Sequence, residues 1–523
     1  MAAAAFLLAS PIINEDGVQY LDLADAWRTG QWSTALNTYW SPLYSWVLAT
    51  VIAVVRPVPA NELAVVRVVN VVVFAWVLVL WLVLARRLAR EEGRNGSHLQ
   101  VSCWWMLASL LASWVLLQTI GIEAATPDLI ATGLVVVAGL LLTGPRQAGL
   151  RAADGLMLGV VVGAAILSRA ALVTLAPVAA VLLAARVAPG LRRRASLAFL
   201  LGVVCTFGVF VAALSHDEQR WTLGDTGRLN YAWFVNGVTR YVHWQGEPSG
   251  SGVAVHPTRV ARQPDVFVFD RPWPCTFPPA CDPAYWHEGL RLHFALAEQW
   301  AATRWVLDQW RWLVFERLGG VPVIVVGLAL LVDRRAYSGP GARVCLALAA
   351  GAAVSYLGVY SEARHVSAAL LLVLVPALAT LRHQARLARL GTVILLCVVA
   401  ALSIRFLQSG WHRRQYQSAL THPQWAIAQQ LARDRIATGS RVARIGEGPG
   451  TYWARLAGLR LIAEIPADDE FWRASPDNQA ALLQHLAASG VLAVVTDGRH
   501  VAEPKGWIRV AGAPWVLVRK IGR

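Results

Sequence analysis

The sequence predicts an α-helical polytopic membrane protein of about 10–11 transmembrane helices, with a large extramembranous loop and a small C-terminal α/β domain. Three observations predict it. First, the chain of 523 residues is 56% apolar and only 15% charged, with a mean hydropathy of +0.47, which is too little charge for a soluble globular protein. Second, runs such as Val65 to Ala85, Trp104 to Ile120, Leu129 to Thr143, Ala195 to Leu214 and Gly391 to Leu407 approach or reach the roughly 20 residues needed to cross a hydrocarbon core. Third, the pattern changes in the tail, where short apolar stretches alternate with turn residues as in a βαβ arrangement.

The net charge of +15 is not gathered on one patch. Arginines fall between the apolar runs: Arg86, Arg87, Arg90 and Arg94; Arg146 and Arg151; Arg186 and Arg192 to Arg194; Arg334, Arg335 and Arg343; Arg382, Arg386 and Arg389. Arginine in alternate loops is what the positive-inside rule expects, so the charge reports topology and not nucleic-acid binding.

Orienting the runs by these loops places crossings near 64–85, 101–120, 128–144, 154–168, 170–188, 196–214, 319–332, 343–361, 366–381 and 390–407. All the Arg clusters then share one side. The opposite side receives 14–63, the turn around Glu123 and Asp128, the turn at Arg169, the segment 215–315, the turn from Glu362 to His365 and the tail. The expected division is a transmembrane domain at 1–407, with external loops 14–63 and 215–315, and an external α/β domain at 408–523. Integral placement in the plasma (inner) membrane follows, with the external loops facing the periplasm or exterior.

Ala2 to Ile13 is apolar but too short to span, and it lacks a signal peptide's basic flank and cleavage site. It reads as the outer end of a first helix that begins upstream. Counting Ser41 to Val55 as a span would move the Arg86 to Arg94 cluster outside, so it reads as interfacial or re-entrant, with Trp40, Tyr44 and Trp46 in the headgroup layer.

The segment 215–315 turns to Trp, Tyr, Pro, Gly and His, led by Trp-Thr-Leu-Gly-Asp-Thr-Gly-Arg-Leu-Asn-Tyr-Ala-Trp at 221–233. Its Trp221, Trp233, Trp244, Trp273 and Trp286 suit loop cores and interfacial belts, or sugar stacking. Cys275 and Cys281 in this loop are a candidate disulfide if it faces an oxidising compartment. In the tail, strands are expected at 441–445, 459–465, 491–496, 507–510 and 515–518, with helices from Tyr452 and around 478–489. Gly446-Glu447-Gly448-Pro449-Gly450 lacks the full dinucleotide fingerprint and reads as a tight turn.

The stretch Asn14-Glu15-Asp16-Gly17-Val18-Gln19-Tyr20, followed by Asp22, Ala24, Gly30, Trp32 and Tyr39-Trp40-Ser41-Pro42-Leu43-Tyr44, puts adjacent carboxylates where an apolar run meets a short amphipathic helix. Two readings stand on local grounds. The carboxylates complement a helix dipole, or they face a lipid phosphate headgroup.

The order of acidic pair, Tyr, Ala, Gly-x-Trp and Pro-Leu-Tyr resembles the first external loop of the GT-C superfamily, the polytopic glycosyltransferases that include protein mannosyltransferases and the aminoarabinose transferases of lipid A. Thr126-Pro127-Asp128-Leu129 resembles its second acidic turn. Ser168-Arg169-Ala170 resembles its short basic turn, and Tyr360-Ser361-Glu362-Ala363-Arg364-His365, followed by Pro376, resembles its late Arg-aromatic turn. The likeness runs over roughly residues 12–410 and rests on order and placement. It departs in the short first helix and in His365, where an aromatic residue is frequent.

The resemblance implies an inverting transferase that moves a sugar from a polyprenyl-phosphate donor to an unknown lipid, glycan or protein acceptor on the non-cytoplasmic face. Asp16 is then the base on the acceptor hydroxyl, with Glu15 second for the role. Arg364 and Arg169, joined by His365, would hold the donor phosphate, because guanidinium forks match phosphate oxygens; the alternative is that the arginines anchor helix ends or pair with Glu362. Glu123 and Asp128 would orient the acceptor or help hold a divalent cation, which is optional because no dedicated metal cage is present. Tyr20, Tyr44, Asp225, Asn230 and His243 are further polar candidates for acceptor recognition, and their spacings are not those of a zinc site. Two rival classes remain: a transporter or flippase, which calls for ionisable residues at mid-membrane depth, and a non-catalytic scaffold displaying the C-terminal domain.

Overall fold

A computed structural model describes residues 13–91, 98–144, 151–238, 258–269, 275–283, 285, 290, 292–382, 423–446, 450–499 and 504–522. The expected crossing at 390–407, with His243, Trp244, Trp273 and Trp286, lies outside the described residues. The described chain forms two compact units. One comprises 68–237 and 293–382, the other 13–67, 258–292 and 423–522.

The first unit is the membrane fold. Among the described residues, four helices are long and apolar enough to cross a bilayer: Pro59–Arg90, Pro189–Asp217, Pro340–Leu357 and Ala363–Leu381. Leu296–Arg317 and Val321–Val332 pass the same test as a pair bent by 86°. Glycine explains the break, since Gly319 and Gly320 both have positive φ, a conformation that a side chain disfavours. Trp104–Thr119, Asp128–Leu142, Ala152–Ser168 and Ala170–Arg186 are shorter apolar helices. Apart from 390–407, each apolar run read from the sequence as a crossing falls on one of these helices, of which four, or five with the bent pair, have the length of a span.

This unit has a continuous apolar core that includes Trp81, Leu84, Val115, Leu348, Leu371 and Leu378. Buried tryptophans need an acceptor for the indole N–H. Trp81 Nε1 donates to the Leu371 carbonyl at 2.9 Å and Trp104 Nε1 to that of Leu378 at 2.8 Å. Close helix approach is set by glycine: a Cβ on Gly155, Gly159 or Gly163 would collide with Ala195, Phe199 or Thr206 on Pro189–Asp217. One turn apart on a single face, they form the small-residue stripe that brings membrane helices together. Val68, Val72, Val79, Leu197, Leu200 and Leu201 are exposed, as lipid-facing side chains are.

The second unit is built on a seven-stranded sheet ordered β1-β2-β4-β3-β5-β7-β6, with β1 Thr258–Ala261, β2 Val266–Val268, β3 Arg441–Ile445, β4 Arg460–Ile465, β5 Ala493–Asp497, β6 Ile508–Val510 and β7 Ala513–Lys520. β3 is parallel to β4 and β5, while β2 and β7 pair antiparallel to β4 and β5. The parallel strands are buried along most of their length, and the two charges they bury, Arg444 on β3 and Glu464 on β4, pair with each other at 2.9 Å. Val442, Ile445, Leu461, Ile465, Val494 and Val495 fill the interior with Phe471, Leu483 and Leu486.

The α/β tail is therefore as expected, and it is larger than 408–523. β1 and β2 come from the 215–315 loop, and helices Pro423–Arg433 and Asp468–Arg473 add to it. Residues 13–67 also belong to this compact unit, so the tail does not build it alone. Pro42–Val55 is a helix of 14 residues, about 21 Å long at 1.5 Å per residue, short of the roughly 30 Å hydrocarbon core.

Candidate functional residues in each unit

In the second unit, Glu15–Thr29 is a helix with Glu15 and Asp16 in its first turn and Arg28 in its last, charges that both suit the helix dipole. Gly30, at φ 71°, closes it by donating its N–H to the Ala26 carbonyl. Asn14 sits at the N-cap position without a side-chain cap bond. Glu15 is exposed and Asp16 half-buried, and a Cβ placed on Gly450 would lie 3.9 Å from Glu15 Oε1. Gly450 thus lies beside Glu15.

The same helix carries a charged constellation that reading the sequence did not find. Asp22, 3% exposed, accepts from the Thr276 N–H and hydroxyl, both at 2.9 Å. Arg455, 10% exposed, places Nη1 2.5 Å from Asp22, Nη2 2.8 Å from Asp25 and 2.6 Å from Glu62, and Nε 2.9 Å from Glu62. Burial raises the Asp22 carboxyl pKa above its ordinary value, against the opposing pull of Arg455 and the Thr276 donors. Burial also works against the Arg455 charge, but Glu62, Asp22 and Asp25 outweigh it and hold the guanidinium well above its ordinary value. Helical spacing between Asp22 and Asp25 is the one signal the sequence held; Glu62 and Arg455 are remote along the chain.

Cys275 and Cys281 form the disulfide that the loop composition suggested. The loop it closes is held by Asn37 Nδ2 to the Cys281 carbonyl at 2.6 Å and Trp40 Nε1 to the Ala280 carbonyl at 3.1 Å. Asp22, Cys275 and Cys281 have ligand-type atoms within 4.8 Å of one another. With the sulfurs bonded to each other and Asp22 engaged by Arg455 and Thr276, this group is not a ligand set as it stands.

In the first unit, Asp128 opens the helix Asp128–Leu142 and is 3% exposed. Arg169 Nη2 lies 3.0 Å from its Oδ1 and Arg364 Nε 3.7 Å from its Oδ2, while Thr126 donates to the same carboxylate. Glu362 takes Arg364 from the other side, Nε to Oε2 at 2.8 Å, and accepts from the Tyr360 hydroxyl at 2.6 Å. The Glu362 N–H donates to His365 Nδ1 at 3.1 Å, and the His365 ring stacks on Tyr356 at 4.5 Å. Tyr360 stacks on Phe234 at 3.8 Å and on Trp305 at 5.5 Å. Asp128, Arg169, Arg364 and His365, about 240 positions apart at the extremes, are thus one group. The pairing of Arg364 with Glu362, an alternative to binding, is present; each arginine side chain is still about one fifth exposed, so anchoring and ligand binding are compatible.

Other candidates are placed differently. Tyr20 and Tyr44 are 3% and 1% exposed and meet edge to face at 5.3 Å, so they form core and present no ring to a ligand. Asp225 is buried against Arg220 at 2.6 Å, and Asn230 donates to the Thr226 carbonyl within its helix; both hold the 220–230 segment together. Glu123 is half-buried with its carboxylate beside Gly121.

No family model matches the chain, and no curated protein does. Solved structures do. ArnT from Cupriavidus metallidurans in the apo state superposes with a TM-score of 0.55 at 13% identity, over 99% of this chain and 95% of that one. The same protein bound to undecaprenyl phosphate gives 0.56 at 12% identity over the same shares. ArnT is a GT-C aminoarabinose transferase.

This chain has the GT-C fold.

An oligosaccharyltransferase from Archaeoglobus fulgidus, solved with zinc and sulfate, superposes at 0.41 with 11% identity over 95% of this chain and 67% of that one, too low to speak for a shared fold. The GT-C fold agrees with the sequence order of acidic loop, second acidic turn and late arginine turn. At 12–13% identity it speaks for architecture alone, and the chemistry has to be argued from the residues.

Proposed function

We propose that this chain is an inverting glycosyltransferase that moves a sugar from a polyprenyl-phosphate donor to an acceptor on the non-cytoplasmic face of the plasma membrane. The observation that carries the reading is a fold shared over 99% of the chain with a GT-C transferase that binds undecaprenyl phosphate. Asp16 accepts the acceptor hydroxyl's proton as that oxygen bonds to the anomeric carbon and the carbon–phosphate oxygen bond breaks. The departing polyprenyl phosphate gains negative charge, and Arg169 and Arg364 neutralise it. Both are preset by Asp128 and Glu362, so little side-chain entropy is lost when phosphate arrives. His365, stacked on Tyr356, fixes the turn that carries Arg364.

Glu15 is the second candidate base, and its place beside Gly450 also suits acceptor contact. Glu123 is a candidate for orienting the acceptor, and a divalent cation is optional to this chemistry. The acceptor is a lipid, a glycan or a protein. The test is to purify the chain from its native membranes and identify the copurifying lipid by mass spectrometry. A polyprenyl phosphate or its glycosyl ester is expected, and ordinary phospholipid alone would count against the reading.

A further inference from the structure

We infer that Arg455 is a positioning residue for transfer: it locks the helix bearing Glu15 and Asp16 onto the α/β sheet unit through Asp22 and Asp25, making the C-terminal segment part of the catalytic apparatus. This rests on the proposed transferase reading for its consequence and on the second unit's geometry for its basis.

Glu15 and Asp22 are two turns apart and share one face of the helix Glu15–Thr29. That face meets the segment 450–456 at both ends. Gly450, at φ 78°, runs past Glu15, and Arg455, on the short helix Tyr452–Leu456, takes Asp22 and Asp25. The segment is itself held rigid. Gln424 Oε1 accepts the Trp453 N–H at 2.7 Å, Trp453 Nε1 donates to the Gly450 carbonyl at 2.8 Å, and the Trp453 side chain is fully buried.

Arg455 also binds Glu62 through two nitrogens, so one guanidinium joins three otherwise separate carboxylates. Its charge is matched by an excess of negative charge, and only a planar fork makes all four contacts; a lysine ammonium lacks that geometry. Asp22 is pinned a second time by Thr276, next to the Cys275–Cys281 disulfide. Neither Arg455 nor Asp22 is exposed enough for a surface role. Their energy goes into fixing the first helix, and a base displaced by about 1 Å loses on the order of a hundredfold in rate.

The test uses the full chain in detergent, with wild type, R455M, R455K and D16N compared by three readouts. Amide hydrogen exchange across 15–29 reports the helix. Consumption of the lipid-linked sugar fraction extracted from the native membranes gives kcat and KM. Binding of undecaprenyl phosphate reports the donor side. R455M is expected to speed exchange in 15–29 at least tenfold and to lower kcat about a hundredfold, with KM and undecaprenyl phosphate affinity within threefold of wild type. R455K should recover part of kcat. Unchanged exchange in R455M, or a kcat within twofold of wild type, overturns the inference. If R455M does not fold, R455K and D22N carry the same criteria. Wild type that consumes no lipid-linked sugar overturns the transferase reading instead, while the exchange measurement still decides whether Arg455 holds the helix.

Discussion

Arg169 reaches the buried Asp128 carboxylate with Nη2 3.0 Å from Oδ1, so the basic turn after the helix Ala152–Ser168 is tied to the acidic start of the helix Asp128–Leu142. Asp128 also faces Arg364. Asp128→Asn keeps the shape but leaves two largely buried guanidinium groups without their shared anion. The expected loss is about 2–3 kcal/mol, read as a lowered unfolding temperature in detergent, with Asp225→Asn as a control on a different ion pair.

Arg364→Met removes a charge-assisted donor while its aliphatic stem is largely retained. On the proposed reading it weakens undecaprenyl phosphate binding about tenfold, equivalent to about 1.4 kcal/mol. Titration of the purified chain with undecaprenyl phosphate measures it. Affinity within a factor of two of wild type would remove Arg364 from the phosphate site.

The apolar helices were legible because apolar runs are a local property of the chain. The group of Asp128, Arg169, Arg364 and His365 was legible only through the resemblance. The rest lay in pairings between distant positions. β2 joins β4 through Phe267 opposite Glu464 and Val268 opposite Ala463, and strands of three and four residues inside a mixed loop carry too little alternation to be seen. Arg455 with Asp22 and Glu62 is of the same kind. Tyr20 and Tyr44 look like interfacial or binding aromatics until their mutual edge-to-face contact puts them in a core.

Glycine spacing was a signal present but unread. Gly155, Gly159 and Gly163 seat the helix Ala152–Ser168 on Pro189–Asp217, and a Cβ at Gly159 would meet the Phe199 carbonyl. Gly159→Leu is expected to cost about 3 kcal/mol, the upper end for overpacking, whereas Gly190→Leu, where a Cβ meets nothing within 4 Å, should be close to neutral. Thermal unfolding of the two variants side by side checks the contrast.

The Arg455 constellation carries a pH signature. Asp22 has a folded pKa above its ordinary 3.8, so the folded state binds the proton more tightly than the unfolded one. The stability it contributes is fullest below 3.8 and declines as pH rises through the raised folded value. Arg455 limits that decline by favouring the ionised form. Arg455→Met should therefore destabilise the chain by about 3 kcal/mol at pH 7.5 and by clearly less at pH 3.8, where its raised folded pKa keeps Asp22 more than half protonated. Denaturation at the two pH values tests it, and an equal loss at both would show that Asp22 does not answer to Arg455.

The most direct test of the transferase account is Asp16→Asn in the purified full-length chain, assayed for transfer of sugar from the native lipid-linked fraction alongside undecaprenyl phosphate binding and thermal unfolding. The account predicts transfer reduced at least about a hundredfold, with binding and unfolding temperature held near wild type. Transfer at the wild-type rate by a folded Asp16→Asn variant would contradict it.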